Sequence, residues 1–243
     1  MSEIEKFEQE RKERVLFNAK DKKFNDLTTQ WTIRSAELKY TYNFSWMGRP
    51  IIQFPQDMIA MQEIIWEVKP DLIVETGIAH GGSLIYYASL MELLGGNGHI
   101  LGIDIDIRAH NRMEIEKHPM SKRITMFEGS AIADEMAEKV QKFAANYKTI
   151  LLVLDSNHTH DHVLTELRLY SPLVTPGSYC VVFDTVVEDM PPGSYSDRPW
   201  DKGDNPKTAV WEFLKENSDF EIDKTIQDKL LITVAPDGYL KRR

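Results

Sequence analysis

Residues 72–83, Leu72-Ile73-Val74-Glu75-Thr76-Gly77-Ile78-Ala79-His80-Gly81-Gly82-Ser83, carry the transition that decides the fold. Three aliphatic residues in a row read as a buried strand. The glycines after them permit a tight turn and let a ligand come close to the backbone. Upstream, Met58, Ile59, Met61, Ile65, Trp66 and Val68 recur at helical spacing, and Pro70 ends that helix. Downstream, the pattern predicts helices over 83–94, 132–147, 161–173 and 207–216. Between and after them it predicts strands at 99–103, 124–127, 150–154, 179–183, 220–222 and 230–234. Strands alternating with helices of this length imply an α/β fold, a mostly parallel doubly wound sheet covered on both faces. Ligands of such sheets sit beyond the carboxyl ends of the strands, so the residues just after each strand are the informative ones.

After the first strand the order is an acid, then G-x-x-x-G-G-S, and not the GxGxxG of dinucleotide enzymes. Glu75 suits a ligand ammonium. The Thr76-Gly77 turn and the backbone N–H groups from Gly81 to Ser83 suit a carboxylate at a helix N-terminus, and Ser83 as a plain N-cap is the bland alternative. Asp104, at the end of the second strand, stands where a carboxylate grips ribose hydroxyls. Ser130, in the turn after the third, could edge an adenine ring. Three sites at three successive strand ends match one adenosyl ligand.

The fourth strand ends in Asp155-Ser156-Asn157-His158-Thr159-His160-Asp161-His162, the densest chemistry in the chain. It is one residue short of an HxHxDH zinc pattern and no histidine follows it, which excludes a two-zinc hydrolase. Asp155 reads as a hard oxygen ligand and His158 as a proton acceptor. His160 and His162 read as exposed first-turn helix residues. Asp184, after the fifth strand, would lie beside Asp155. Two such carboxylates repel unless a cation such as Mg²⁺ bridges them.

The 243 residues are 42% hydrophobic and carry a net charge of −9, which argues against a general nucleic-acid binder. No apolar run is long enough to span a membrane. The N-terminal MSEIEKFEQERKERVLF is charged and lacks the apolar core of a secretory signal. The single cysteine, Cys180, lies in an apolar run and fits a reducing, cytoplasmic location. Residues 1–55 form an N-terminal extension ahead of the main domain at 56–243. Residues 1–25 are a mixed-charge helical stretch, and 26–55 are rich in aromatics. The aromatic stretch suggests a cover over a pocket or a homo-oligomer contact, with a strap packed on the core as the alternative. A loop from 188 to 205, rich in Pro, Gly and Asp, is long enough to be a lid. Trp46, Tyr195 and Trp200 are candidate stacking walls for a sugar.

The stretches FSWMGRPIIQFPQDM, VETGIAHGGS, GIDID, LDSNHTHDHVLTELRLYSPLVTPGSY, FDT and APDGYLKRR resemble the cephalosporin hydroxylase / rhamnosyl O-methyltransferase family over roughly residues 40–243. The resemblance implies a Rossmann-like class I methyltransferase fold with S-adenosylmethionine as cofactor. It implies O-methylation of a deoxyhexose such as rhamnose on a glycan, a lipopolysaccharide or a natural product. The family is similar in layout to catechol O-methyltransferase, which implies Mg²⁺ on Asp155 and Asp184. Phe183 departs from the family's usual acidic residue and leaves the metal site one carboxylate short. Water, Asn157, Glu188 and Asp189 are candidates to compensate. Two rivals remain: an NAD-linked sugar oxidoreductase, disfavoured by glycine spacing and the lack of a Tyr-x-x-x-Lys pair, and a non-catalytic binding module, for which Phe183 is the best support.

Overall fold

The computed structural model describes residues 1–243. Two helices, α1 (Glu3–Lys20) and α2 (Lys22–Glu37), precede a small hairpin of β1 (Phe44–Trp46) and β2 (Arg49–Ile51). Then follow α3 (Pro55–Val68), β3 (Leu72–Thr76), α4 (Gly82–Leu94), β4 (His99–Asp104), α5 (Ala109–Lys117), β5 (Ile124–Glu128) and α6 (Asp134–Ala144). The chain continues through β6 (Ile150–Leu154), α7 (His160–Tyr170), β7 (Tyr179–Val182), α8 (Pro206–Glu216), β8 (Phe220–Ile222), α9 (Lys224–Leu230) and β9 (Tyr239–Arg242).

The main sheet runs β5-β4-β3-β6-β7-β9-β8. Its first five strands are parallel, and β9 runs antiparallel between β7 and β8. The order reverses between β3 and β6, which makes the gap beyond Thr76 and Leu154 the switch point where α/β sheets bind ligands. Every residue of β3 and β6 is buried. Side chains alternate between the faces. Ile73, Leu151, Val153 and Val181 pack with α3, α4 and Ile51, whereas Leu72, Val74, Leu152, Leu154 and Val182 pack with α6, α7 and α8. No helix is long and apolar enough to cross a membrane.

The hairpin of β1 and β2 and helix α9 were not anticipated, and three further elements differ from the sequence reading. Helix α2 starts at Lys22, where Asp21 caps it by accepting the Phe24 N–H at 3.0 Å, and runs to Glu37, so residues 26–37 are helical. Helix α5 was not anticipated: its mean hydropathy is low and only Asn111 and Ile115 are buried, so periodicity gives little signal. The strand expected at 230–234 does not form. Leu231 takes a φ of +59°, and the Val234 N–H is given to the carboxylate of buried Asp57 on α3 at 2.9 Å. The same carboxylate accepts the hydroxyls of Thr233 and Tyr239. Burial pushes it up to about 6 against the pull of these three donors. The last strand starts later, after Gly238, where a Cβ would lie 2.1 Å from the Val182 carbonyl oxygen.

The aromatic segment is a strap on the core. Trp46 packs edge-on against Tyr86 at 4.9 Å and donates its indole N–H to the Ser89 hydroxyl at 3.0 Å. That role removes Trp46 from the sugar wall. Ile51 and Phe54 are buried. The strap crosses the start of α4 so closely that a Cβ on Gly82 would stand 2.1 Å from the Pro50 carbonyl oxygen. Helix α1, by contrast, has no buried residue.

Candidate active site at the strand ends

The turn after β3 is built by its neighbours. Gly77 takes a φ of +91°, and a Cβ there would sit 1.9 Å from the Asp155 carbonyl oxygen, so the close approach of β3 and β6 at the switch point requires glycine. Ala79 is held at a φ of +46°, a conformation costly for a residue with a Cβ. Three side chains brace it. Asp104 accepts the Ile78 N–H at 2.8 Å and the Ala79 N–H at 3.2 Å through Oδ2. Asn111 donates to the Ala79 carbonyl at 2.9 Å. Arg49 donates twice to the His80 carbonyl, at 3.0 and 2.6 Å, and once to Asn111 at 3.0 Å. Arg49 and Asn111 escaped the sequence reading because one lies on the strap and the other on the unanticipated α5.

Glu75 is fully buried at the end of β3. Its Oε2 accepts the Ser83 hydroxyl at 2.7 Å, while Oε1 has no partner. Burial pushes its carboxyl up to about 8; the Ser83 hydroxyl opposes the rise and the Asp104 charge adds to it. Ser83 is therefore not the N-cap of α4. That place belongs to Gly81 at a φ of +78°, which leaves the first turn without a side-chain cap, so its N–H groups are available to an anion. Thr76 is fully buried with its hydroxyl also unpartnered.

Asp104 stands next along the edge. Its Oδ1 accepts the Asp106 N–H at 3.1 Å, so both carboxylate oxygens already hold backbone, and Oδ1 keeps a lone pair to spare. The Asp104 carbonyl accepts the Gly129 N–H at 2.8 Å, which draws the turn carrying half-buried Ser130 alongside. Glu75, Asp104 and Ser130 thus share one edge of the sheet. Asp104→Ala is expected to weaken S-adenosylmethionine binding by about 10–100-fold, the loss of one or two charge-assisted hydrogen bonds that also hold the turn. Calorimetric titration checks this, and an unchanged affinity removes Asp104 from the site.

Across the switch point, Asp155, His158 and Asp184 place one ligand atom each within 4.8 Å of one another. His158 Nε2 is 3.1 Å from Asp184 Oδ2. The imidazole is further held by Trp200, whose ring meets it edge-on at 4.7 Å. Asp184 sits at a φ of +55°, backbone strain at the point where its carboxylate turns toward Asp155. Burial holds the Asp155 carboxyl well above the usual carboxylate range, and Asp184, Glu75, Glu166 and Asp57 push it further. The strand ends thus crowd carboxyl groups that resist ionising together, and a cationic ligand relieves that crowding.

Phe183 is 1% exposed in the core and offers nothing to a metal. The three side chains suggested as substitutes are each engaged elsewhere. Asn157 Oδ1 accepts the Thr159 N–H and hydroxyl, both at 2.9 Å. Glu188 accepts Gly203 N–H and the Asn205 amide. Asp189 is paired with Lys207 at 2.7 Å. The third side chain near the two carboxylates is His158 itself. Two carboxylates with waters completing the shell still fit Mg²⁺, which is commonly held that way.

His160 and His162 are half-buried ties, contrary to the exposed placement expected of them. His160 lies 2.8 Å from the Thr208 hydroxyl and 3.3 Å from Glu212, linking α7 to α8. His162 is 3.2 Å from the Ser156 hydroxyl and 3.4 Å from buried Glu166. The loop 188–205 is pinned at its base by Glu188 and by an Asp201–Asp204 bridge. Tyr195 on this loop feels the Asp184 charge and, mainly through burial, is pushed up to about 12.

Comparison with known proteins agrees with this layout. The family model for rhamnosyl O-methyltransferase/CmcI matches residues 38–243. The rhamnosyl O-methyltransferase of Mycobacterium tuberculosis is 31% identical over 205 residues, covering 82% of this chain and 78% of the relative. Its counterpart in Mycobacterium leprae is 29% identical over 201 residues, covering 82% and 83%. Among solved structures, CmcI with Mg-SAM superposes with a TM-score of 0.57 at 20% identity, covering 83% of this chain and 77% of the other, and establishes the class I methyltransferase fold. The chain belongs to the rhamnosyl O-methyltransferase/CmcI family.

Proposed function

We propose that this chain is an S-adenosylmethionine-dependent O-methyltransferase acting on a hydroxyl of a sugar, a rhamnose-like deoxyhexose carried on a glycan or natural product. The observation that carries the reading is the half-buried cluster of Asp155, His158 and Asp184, whose ligand atoms lie within 4.8 Å of one another, with fully buried Glu75 on the neighbouring strand end. Support comes from the rhamnosyl O-methyltransferases of the mycobacteria, which match this chain over most of both lengths.

Glu75, the first turn of α4, Asp104 and Ser130 hold the cofactor in this reading, with Thr76, Gly77 and Gly81 shaping the turn beneath it. The orphaned Glu75 Oε1 and the uncapped helix N-terminus fit an amino-acid end that is both ammonium and carboxylate. Asp155 and Asp184 hold a divalent cation. When bound, the cofactor supplies an electrophilic methyl group and the cation lowers the pKa of the acceptor hydroxyl. Asp184 and Trp200 fix the ring of His158, which accepts the proton leaving that hydroxyl. Orienting acceptor against cofactor contributes roughly 7–11 kcal/mol in favourable cases. Tyr195 and Trp200 form the acceptor wall. The remaining partner is a second copy of the chain, reached through Ile4, Phe7 and Phe17, all exposed on α1. The buried, unpaired Cys180 fits a cytoplasmic location.

The test is transfer of a radiolabelled methyl group from S-adenosylmethionine, with Mg²⁺, to rhamnosylated acceptors and to the same acceptors lacking the sugar. Label in the rhamnosides alone is the expected result. Cofactor binding without label in any hydroxylated sugar overturns the reading.

A further inference from the structure

Below the turn lies a set of buried polar atoms whose contacts with one another fall short of full hydrogen bonds. Gln53, on the segment joining β2 to α3, is 2% exposed, and neither its amide nitrogen nor its amide oxygen has a partner. Tyr87 on α4 is fully buried, and its hydroxyl is unpartnered too. Gln53 and Glu75 both lie near enough to that hydroxyl to act on it or be acted on by it, yet no hydrogen bond is completed among the three. A buried polar group left unpaired costs about 1–3 kcal/mol. Several such groups side by side mark a place that a polar ligand completes.

We propose that Gln53, backed by Tyr87, is a binding residue for the amino-acid end of the cofactor, facing Glu75 across that end; this rests on the cofactor assignment above. The chemistry is complementary. The amide oxygen and the free Glu75 Oε1 are acceptors for an ammonium, which has three donors. The amide nitrogen is a donor for a carboxylate, as are the N–H groups of the uncapped first turn of α4. A ribose or an adenine offers no such pairing of charges. The strap is fastened on both sides of Gln53 as a binding segment requires. Before it, Arg49 is bonded to the His80 carbonyl and Pro50 is pressed on Gly82. After it, Phe54 is buried against Trp31, with ring centroids 5.4 Å apart. The N-terminal strap therefore delivers a cofactor contact as well as covering the core.

The experiment compares two ligands by calorimetry on the full chain and on Gln53→Met, which keeps length and removes the amide. S-adenosylhomocysteine carries the amino-acid end, and 5′-methylthioadenosine lacks it. Gln53→Met is expected to weaken S-adenosylhomocysteine at least about tenfold and to leave methylthioadenosine within about twofold. The ligand-free melting temperature should hold or rise, because an unsatisfied buried amide has gone. Tyr87→Phe, which removes one hydroxyl only, is expected to show the same selectivity with a smaller loss, and it decides the matter if Gln53→Met does not fold. Equal losses for both ligands, or no loss for S-adenosylhomocysteine, overturn this inference alone. A wild-type chain that binds neither ligand overturns the cofactor assignment and this inference with it.

Discussion

His158→Ala is expected to lower turnover by about 10²–10⁴-fold while S-adenosylmethionine affinity stays within about twofold, the range typical of losing a general base. The split follows from position. His158 lies in the connection from β6 to α7, on the acceptor side of the switch point, 3.1 Å from Asp184. Its neighbours are Asp184, Trp200 and Asp155, none of them among the groups proposed for the cofactor. An Asp–His contact of this kind fixes the ring and stabilises the imidazolium formed when a proton is taken, as in catalytic triads. Initial rates at saturating cofactor, together with calorimetry on the same preparation, separate the two quantities. Unchanged turnover removes His158 from the role of base. A parallel loss of cofactor affinity shows instead that the residue shapes the pocket.

The α/β alternation was legible from the chain because β3 and β6 are short, fully buried aliphatic runs and the helices between them have a distinct period. The site was legible for the same reason: in a parallel sheet the first residues after each strand have nowhere to go but the carboxyl edge, which is how Glu75, Asp104, Ser130, Asp155 and Asp184 come to share it. Residues that reach the site from elsewhere were not legible. Arg49 and Gln53 arrive on the strap, and their meaning depends on a packing contact between Pro50 and Gly82 that no local pattern announces. Asp57, a first-turn acid of α3, gathers three donors from the C-terminal segment, one of them a backbone N–H of the run expected to form a strand. His160 and His162 failed in the opposite direction. Their spacing suggested solvent-facing first-turn residues, but α8 and Glu166 close over them. Periodicity reports which face of an element is apolar; it does not report which polar side chain another element will cover.

Asp155→Asn is expected to reverse sign between stability and activity. In the ligand-free chain, Asp155 is a desolvated carboxyl crowded by Asp184, Glu75, Glu166 and Asp57, each of which makes its charge less favourable. Asparagine has nearly the shape of the protonated acid and carries no charge, so the metal-free variant should melt at the same temperature as the wild type or higher. Mg²⁺ changes the order. Wild-type protein gains RT ln(1 + [L]/Kd) from a cation that binds only the folded state, about 2.7 kcal/mol at a hundredfold excess over Kd. The variant, with one carboxylate left at the site and Phe183 unable to replace the other, should gain almost none of it. The two melting curves should therefore cross between EDTA and saturating Mg²⁺. Methyl transfer by the variant should fall about 10³-fold, the several kcal/mol that a Lewis acid contributes to charge stabilisation at the reacting oxygen. Scanning calorimetry with and without Mg²⁺ and a rate assay on the same samples check both halves. A variant stabilised by Mg²⁺ as much as the wild type shows that the cation does not sit on Asp155. A metal-free variant that melts well below the wild type shows that this carboxylate is held by partners that outweigh its crowding, and that the acids at the switch point are a structural network instead of a site awaiting a cation.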